Sequence, residues 1–357
     1  VMKGGIFAVD KSAKMTYAMI EVAIDKGIRD IQDNTHRGIR NLIDLGSHLS
    51  QGRFHQDFFR ITQQMLANEN SPLYELTRKI VSHVDHQLLK NTAAKLGYTC
   101  LTYGAQQIRD HERRNGYNVP WTIVFDFRRV CDNRLSQAEV SEVLKQGEAI
   151  GIYCGMFFIN NNQQNLADLL EGLAVHKEGT YFIFAEPEAI NPDIAKKIVE
   201  NQNVVLILHL ATPGKQSYSK AAAVLFDNKC LFGTYSEYDD DNLAYLTSDS
   251  CLTSIKEANS VCFFMVRKNL QKPENHKLMS KFIKTAKTAA RYPLIIFDFY
   301  TELAHVDRTI SVEECFIAIL GDGRLAVKNM DSVQPHINIR TQSFQSILER
   351  TMPRISY

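Results

Sequence analysis

A series of apolar runs ends on polar residues that could act together: Asp126, Arg128 and Arg129, then Asn160 and Asn161, then Glu186, His209, Tyr235, Glu237, Arg267, Asp298 and Tyr300. His209 closes the run Val204–Leu208. With Glu186 from the neighbouring run it could form a general base and its orienting carboxylate; a histidine at a strand end serves equally as a hydrogen-bonded structural residue. Arg128 and Arg129 could grip a carboxylate or phosphate, or simply pair with acidic loops. Glu237 with Asp239, Asp240 and Asp241 could offer oxygen ligands to a divalent cation, but consecutive acids diverge along a loop, and a solvated loop fits the same pattern. His83 and His86, with Asp85 between them and His111 farther off, could share a helix face. Exposed imidazoles on a polar face explain them as well as a metal site does. Tyr98, Tyr103 and Arg109 could touch a ligand, although a tyrosine in a helical bundle is more often a core residue with a satisfied hydroxyl. No metal site is expected from any of these groups.

Seven cysteines are scattered at Cys100, Cys131, Cys154, Cys230, Cys251, Cys262 and Cys315. Their odd number and wide spacing point to free thiols in a reducing cytoplasm and away from zinc. Hydrophobic residues make up 45% of the 357 residues and charged residues 23%, as in an ordinary globular protein. The formal net charge of +1 gives no global field for nucleic acid or an anionic membrane. No apolar run reaches the length of a membrane span, and Val1–Gly5 lacks the apolar core of a signal peptide.

These side chains need a frame. The run Trp121–Phe127, bounded by Pro120 and by Arg128-Arg129, reads as a strand buried on both faces. Strands at Ile152–Ile159, Tyr181–Ala185, Val204–Leu210, Cys230–Tyr235, Val261–Val266 and Pro293–Phe299 follow. Helices alternate with them, the first capped by Ser136 and Glu139. That alternation predicts a parallel sheet with right-handed crossovers. No GxGxxG or Walker A sequence is present, which argues against a nicotinamide dehydrogenase and a P-loop NTPase. The fold class expected is α/β: a partial (βα) TIM-like barrel over 118–310, behind an N-terminal helical region (1–117) and ahead of a C-terminal β-hairpin extension (311–357). In the helical region the spacing predicts one helix from Pro72 past Lys90, a break at Gly97 and a last helix at Gly104–Arg114. In the extension Gly321-Asp322-Gly323 joins two strands, an irregular stretch follows, and Ser343–Glu349 is a short helix.

Several of these parts resemble one family. Asn118-Val119-Pro120-Trp121 leads into the first strand and Cys131 follows it. Leu135-Ser136 opens the next helix, Gly151-Ile152-Tyr153 enters the second strand, and Cys315 precedes the late hairpin. Over residues 117–350 this order resembles the radical S-adenosylmethionine (radical SAM) superfamily, in particular members with a SPASM-like C-terminal extension. The resemblance implies a 4Fe–4S cluster held by Cys-x3-Cys-x2-Cys after the first strand. Here Cys131 is the only remnant; Leu135 and Ala138 stand at the next two positions. Asn160-Asn161-Asn162 replaces the Gly-Gly-Glu that receives the cofactor's amino group, and Lys328-Asn329-Met330 stands where an auxiliary-cluster cysteine would be. The expectation is therefore a cluster-less pseudoenzyme that binds a peptide, a small molecule or a partner protein, including an active radical SAM relative, at the barrel mouth. No cofactor is expected, and residual S-adenosylmethionine binding is left open. The alternatives are an enzyme with remodelled acid–base or metal-assisted chemistry at the same mouth, and a true radical SAM enzyme with an atypical cluster site.

Overall fold

The protein is described here from a computed structural model covering residues 11–49, 53–211, 216–288, 291–311 and 313–354. The chain begins with helices α1 (Lys11–Asp33), α2 (Thr35–Leu49), α3 (Arg53–Leu66), α4 (Pro72–His83) and α5 (His86–Ala94). A π-helical stretch, Lys95–Gly104, then leads into α6 (Ala105–Asn115). Ser71 caps α4 with Pro72 at its first position, as the sequence predicts. The single helix expected beyond Lys90 is instead two. Val84 is extended (ψ 146°), and the Asp85 side chain caps α5 by accepting the Leu88 amide at 2.9 Å. The break separates His83 from His86. His83 stacks on Phe226 with its Nε2 2.7 Å from the Phe226 carbonyl, whereas His86 Nε2 lies 2.7 Å from Asp25. Gly97 does not end the helix; the backbone passes through it in the wider π register.

Ten strands of the described residues form one sheet. They are β1 (Thr122–Phe127), β2 (Cys154–Ile159), β3 (Thr180–Ala185), β4 (Val204–His209), β5 (Phe232–Asp239), β6 (Cys262–Asn269), β7 (Ile295–Asp298), β8 (Ile317–Leu320), β9 (Arg324–Val327) and β10 (Val333–Asn338). The spatial order is β10-β9-β8-β1-β2-β3-β4-β5-β6-β7. Strands β1 to β7 pair in parallel, and β7 does not pair with β1, so the barrel is partial. The hairpin β8–β9 joins the same sheet because β8 lies parallel to β1. Several elements depart from the expected pattern. β5 runs to Asp239 rather than ending at Tyr235, which places Glu237 inside a strand. Phe299–Ile310 is a helix capped by Asp298. Val333–Asn338, expected to be irregular, is an edge strand whose Pro335 and exposed residues hide a strand's usual signature.

Period-two alternation divides the aromatic core between the two faces of the sheet. Phe125 stacks on Phe157 on one face, at 4.5 Å. On the other, Phe158 stacks on Phe184 at 4.2 Å, and Tyr235 and Phe299 meet both edge-on. The helical region meets the barrel through a close backbone approach. A Cβ on Gly104 would lie 2.4 Å from the Gly151 carbonyl, and Gly151 itself has φ +104°. Gly104→Ala is expected to cost about 1–3 kcal/mol by urea denaturation, because a backbone oxygen cannot step aside as a side chain does. Gly97→Ala, where a Cβ meets nothing within 4 Å, is the control and should not destabilise.

Candidate functional site

The strand ends converge on Arg128. Its Nε and Nη2 each donate at 2.8 Å to the buried carboxylate of Asp126, the next-to-last residue of β1. Its Nη1 donates to Glu237 on β5, so the guanidinium ties β1 to β5. The charge also lies over the Phe158 ring, 5.0 Å from the centroid. Burial acts to lower the Arg128 pKa, but the hydrogen bond and charge of Asp126, with the charge of Glu237, outweigh it and raise the pKa above its ordinary value. Lys268 approaches Glu237 from the other side at 3.6 Å. Glu237 reaches this position only because β5 continues past Tyr235.

Beside this tie, His209 Nδ1 lies 2.7 and 2.9 Å from the two oxygens of Glu186. Parallel pairing of β4 with β5 sets His209 opposite Tyr235, and the rings stack at 4.6 Å. Tyr235 is buried, and burial first and the charge of Glu186 second raise its pKa well above the ordinary value. Arg128, Ile159, Asn160, Asn161, Glu186 and Glu188 line an open depression of about 480 Å³. Asn160 Oδ1 accepts from the Asn162 amide at 3.2 Å and from Asn165 at 3.1 Å, while Asn161 is exposed.

The remaining sequence candidates lie elsewhere on the rim. Arg129 points outward and meets Asp331 at 3.7 Å. Arg267 is exposed and lies over the Tyr300 ring, whose hydroxyl accepts the Met330 amide at 3.4 Å. Asp298 is buried, caps its helix at the Thr301 amide and accepts from the Tyr238 hydroxyl at 2.6 Å. The acidic run after β5 is spent on loop geometry. Asp239 accepts the Asp241 and Asn242 amides, and Asp240 accepts the Gln271 amide and the Asn275 side chain, both at 2.8 Å. Among the described residues no group of three or more histidines, cysteines or acids could hold a metal ion. Sequence reasoning missed Glu188, although Glu186-Pro187-Glu188 places a second acid one short turn beyond the first. It also missed Lys268 and Met330.

Cys131 is half-buried in the loop after β1. Arg340, from the C-terminal extension, holds that loop by donating to the carbonyls of Asn133 (3.0 Å) and Arg134 (3.1 Å) and to Glu139 (2.5 Å). Nothing local to the loop signals this clamp, because its two sides lie far apart in the chain. The other six cysteines are buried. Cys154 and Cys262 begin their strands, at the end away from the mouth. Burial pushes the Cys100, Cys230 and Cys262 thiols up to about 12 and the Cys251 thiol up to about 11. A 4Fe–4S cluster needs several thiolates converging from one loop; the mouth offers the single thiol of Cys131, so the residues present do not fit that group.

No protein-family model matches the sequence, and no curated protein matches it. Among solved structures, SuiB from Streptococcus suis is similar over 68% of this chain and 68% of its own, at 12% identity and a TM-score of 0.50. SuiB bound to its precursor peptide SuiA matches with the same values. Native anSMEcpe with bound AdoMet is similar over 65% of this chain and 82% of its own, at 11% identity and a TM-score of 0.44. At this identity the likeness is one of fold: a partial (βα) barrel with an N-terminal helical region and C-terminal antiparallel strands. Among the described residues no helix is long and apolar enough to cross a membrane.

Proposed function

We propose that this chain uses its radical-SAM-like barrel to hold a peptide at the mouth without performing radical chemistry there. The observation that carries the reading is how the mouth employs its charged groups. Asp126, Arg128 and Glu237 bind one another, Glu186 binds His209, and a single thiol stands where a cluster needs several. Of the charged residues that line the depression, Glu188 is the exception. Its carboxylate lines the depression and makes no ion pair among the described residues. A rim with one free carboxylate suits a cationic group, such as a peptide amino terminus or a lysine or arginine side chain. That a solved structure of similar fold holds a precursor peptide also supports a peptide occupant.

Two measurements test the reading. Anaerobic reconstitution with iron and sulfide should leave the protein colourless, with no spectral response to S-adenosylmethionine. A brown protein with about four irons per chain, its spectrum changed by S-adenosylmethionine, would overturn it. Fluorescence polarisation against labelled peptides should show binding of basic sequences. Glu188→Gln should weaken it several-fold at low ionic strength, since a rim charge acts mainly through screened electrostatics. Equal binding of basic and acidic peptides would remove the role given to Glu188.

The His209–Glu186 pair favours a second reading, acid–base chemistry at the same mouth. With Nδ1 held by the carboxylate, Nε2 is the atom for proton transfer. Any turnover of this kind should vanish in His209→Gln and survive in Cys131→Ala.

A further inference from the structure

Outside the mouth, the helix Gln137–Glu148 carries Ser141 and Glu148 two turns apart, and therefore on one face. His176 follows the neighbouring helix, Gln163–Leu173, and sits between them. The Ser141 Oγ is 2.8 Å from His176 Nε2, and His176 Nδ1 is 2.9 Å from Glu148 Oε1. The imidazole is buried, its side chain only 3% exposed. Its backbone is fixed on both sides, the amide donating to the Leu173 carbonyl at 3.0 Å and the carbonyl accepting from Asn203 Nδ2 at 3.0 Å. A carboxylate at Nδ1 assigns the proton to that nitrogen. Nε2 is then the acceptor and the Ser141 hydroxyl the donor, which is the order of a nucleophile, its base and the base's orienter. Among the described residues His209 has a carboxylate on Nδ1 but no hydroxyl on Nε2, and the exposed His86–Asp25 pair has none either.

Ser141 is half-buried and opens onto a groove of about 200 Å³, separate from the mouth depression. The groove walls are mostly apolar and include Phe127, Val140, Leu144 and Leu173. Arg134 is the one cation on them and makes no ion pair among the described residues; its guanidinium lies over the Phe127 ring. A nucleophile opening onto an apolar groove, with a buried base behind it and Arg134 and Asp168 on the groove wall, is more than a link between two helices requires.

We propose that Ser141, His176 and Glu148 form a second, hydrolytic site that takes carboxylic esters with a small apolar acyl group. Ser141 Oγ attacks the ester carbonyl carbon as its proton passes to His176 Nε2. Arg134, the cation on the groove wall, would supply the charge that stabilises the oxyanion. The alkoxide leaves with that proton, giving an acyl-serine and an alcohol. Water, deprotonated by His176, then releases the acid and restores the serine. The net reaction is ester plus water to acid plus alcohol.

The test uses the full chain, a fluorophosphonate probe and p-nitrophenyl butyrate. Mass spectrometry after labelling should find one phosphonate adduct, on Ser141. Ser141→Ala, at a helical position that alanine suits, should abolish the adduct and lower ester hydrolysis at least about a hundredfold. Glu148→Gln should lower hydrolysis less and shift its pH profile, which a purely structural contact would not do. Absence of an adduct on Ser141, or a Ser141→Ala protein with unchanged circular dichroism that hydrolyses the ester at the wild-type rate, would overturn the proposal.

Discussion

Arg128→Met should lower the free energy of unfolding by about 3–5 kcal/mol, read from urea denaturation, because it leaves buried charge without its partner. Asp126 is 6% exposed, and its carboxylate receives both the Nε and the Nη2 of Arg128. Glu237 loses its tie to β1 in the same step. The Arg128 side chain is 27% exposed, which argues for the lower part of that range. Pairing the change with Asp126→Asn should recover part of the loss, since the uncompensated carboxylate is then gone. Salt should affect the single variant little, because the pair lies mostly out of solvent. A loss below about 1 kcal/mol would mean that the mouth is held by its aromatic floor rather than by this ion network.

A second large effect is expected in the pH dependence of stability. Asp307 is buried, its Oδ1 accepting the Trp121 amide at 3.3 Å and its Oδ2 the Cys315 amide at 3.1 Å. Burial pushes its pKa up from 3.8 to about 8; the two amides oppose the shift, and the charges of Glu112 and Glu314 add to it. The folded protein therefore holds this proton more tightly than the unfolded chain does. The contribution is fully present below about pH 4, is lost as pH rises toward 8, and is flat beyond. Glu112, whose carboxyl burial also raises, acts with the same sign. Glu139 acts with the opposite sign. The Arg340 hydrogen bond is the main cause that lowers it, to about 2, so its own stability is lost only as pH falls below the ordinary glutamate range. Asp307→Asn removes the titration but keeps one good acceptor for two amides. It should be less stable than wild type at pH 5 and at least as stable at pH 8.5, with the two curves crossing between. Thermal melts across that range check this, and parallel curves would show that Asp307 does not carry the slope.

Much of the molecule was legible because it depends on short-range pattern. The apolar run Trp121–Phe127 had to be a strand covered on both faces, and its burial follows from composition alone. The Ser136–Glu139 capping box is complete within four residues, and both of its hydrogen bonds are present. The register of alternating strands and helices, and the hairpin at Gly321-Asp322-Gly323, could be read for the same reason. The errors fell where a neighbour distant in sequence overrode the local signal. Val84 carries helical spacing, yet the chain turns there so that Asp85 caps the next helix and its amide reaches the Lys229 carbonyl at 2.9 Å. Val333–Asn338 has the composition of a loop and becomes a strand only because β9 offers it an edge.

The same division runs through the candidate sites. Sequence alone determined which side chains stand at strand ends, that His209 and Glu186 come from neighbouring strands, and that Cys131 has no companions at cluster spacing. These follow from the period of the strands and from counting. It could not decide that Arg128 spans the barrel to Glu237, because that depends on where β5 ends and on how far the sheet curls. Nor could it decide that Arg340 pins the Cys131 loop, or that His176 comes between Ser141 and Glu148, since those contacts join segments 28 to 207 residues apart. Such pairings carry no local propensity; they arise only when helices and strands are packed to a common core and their polar faces must find partners.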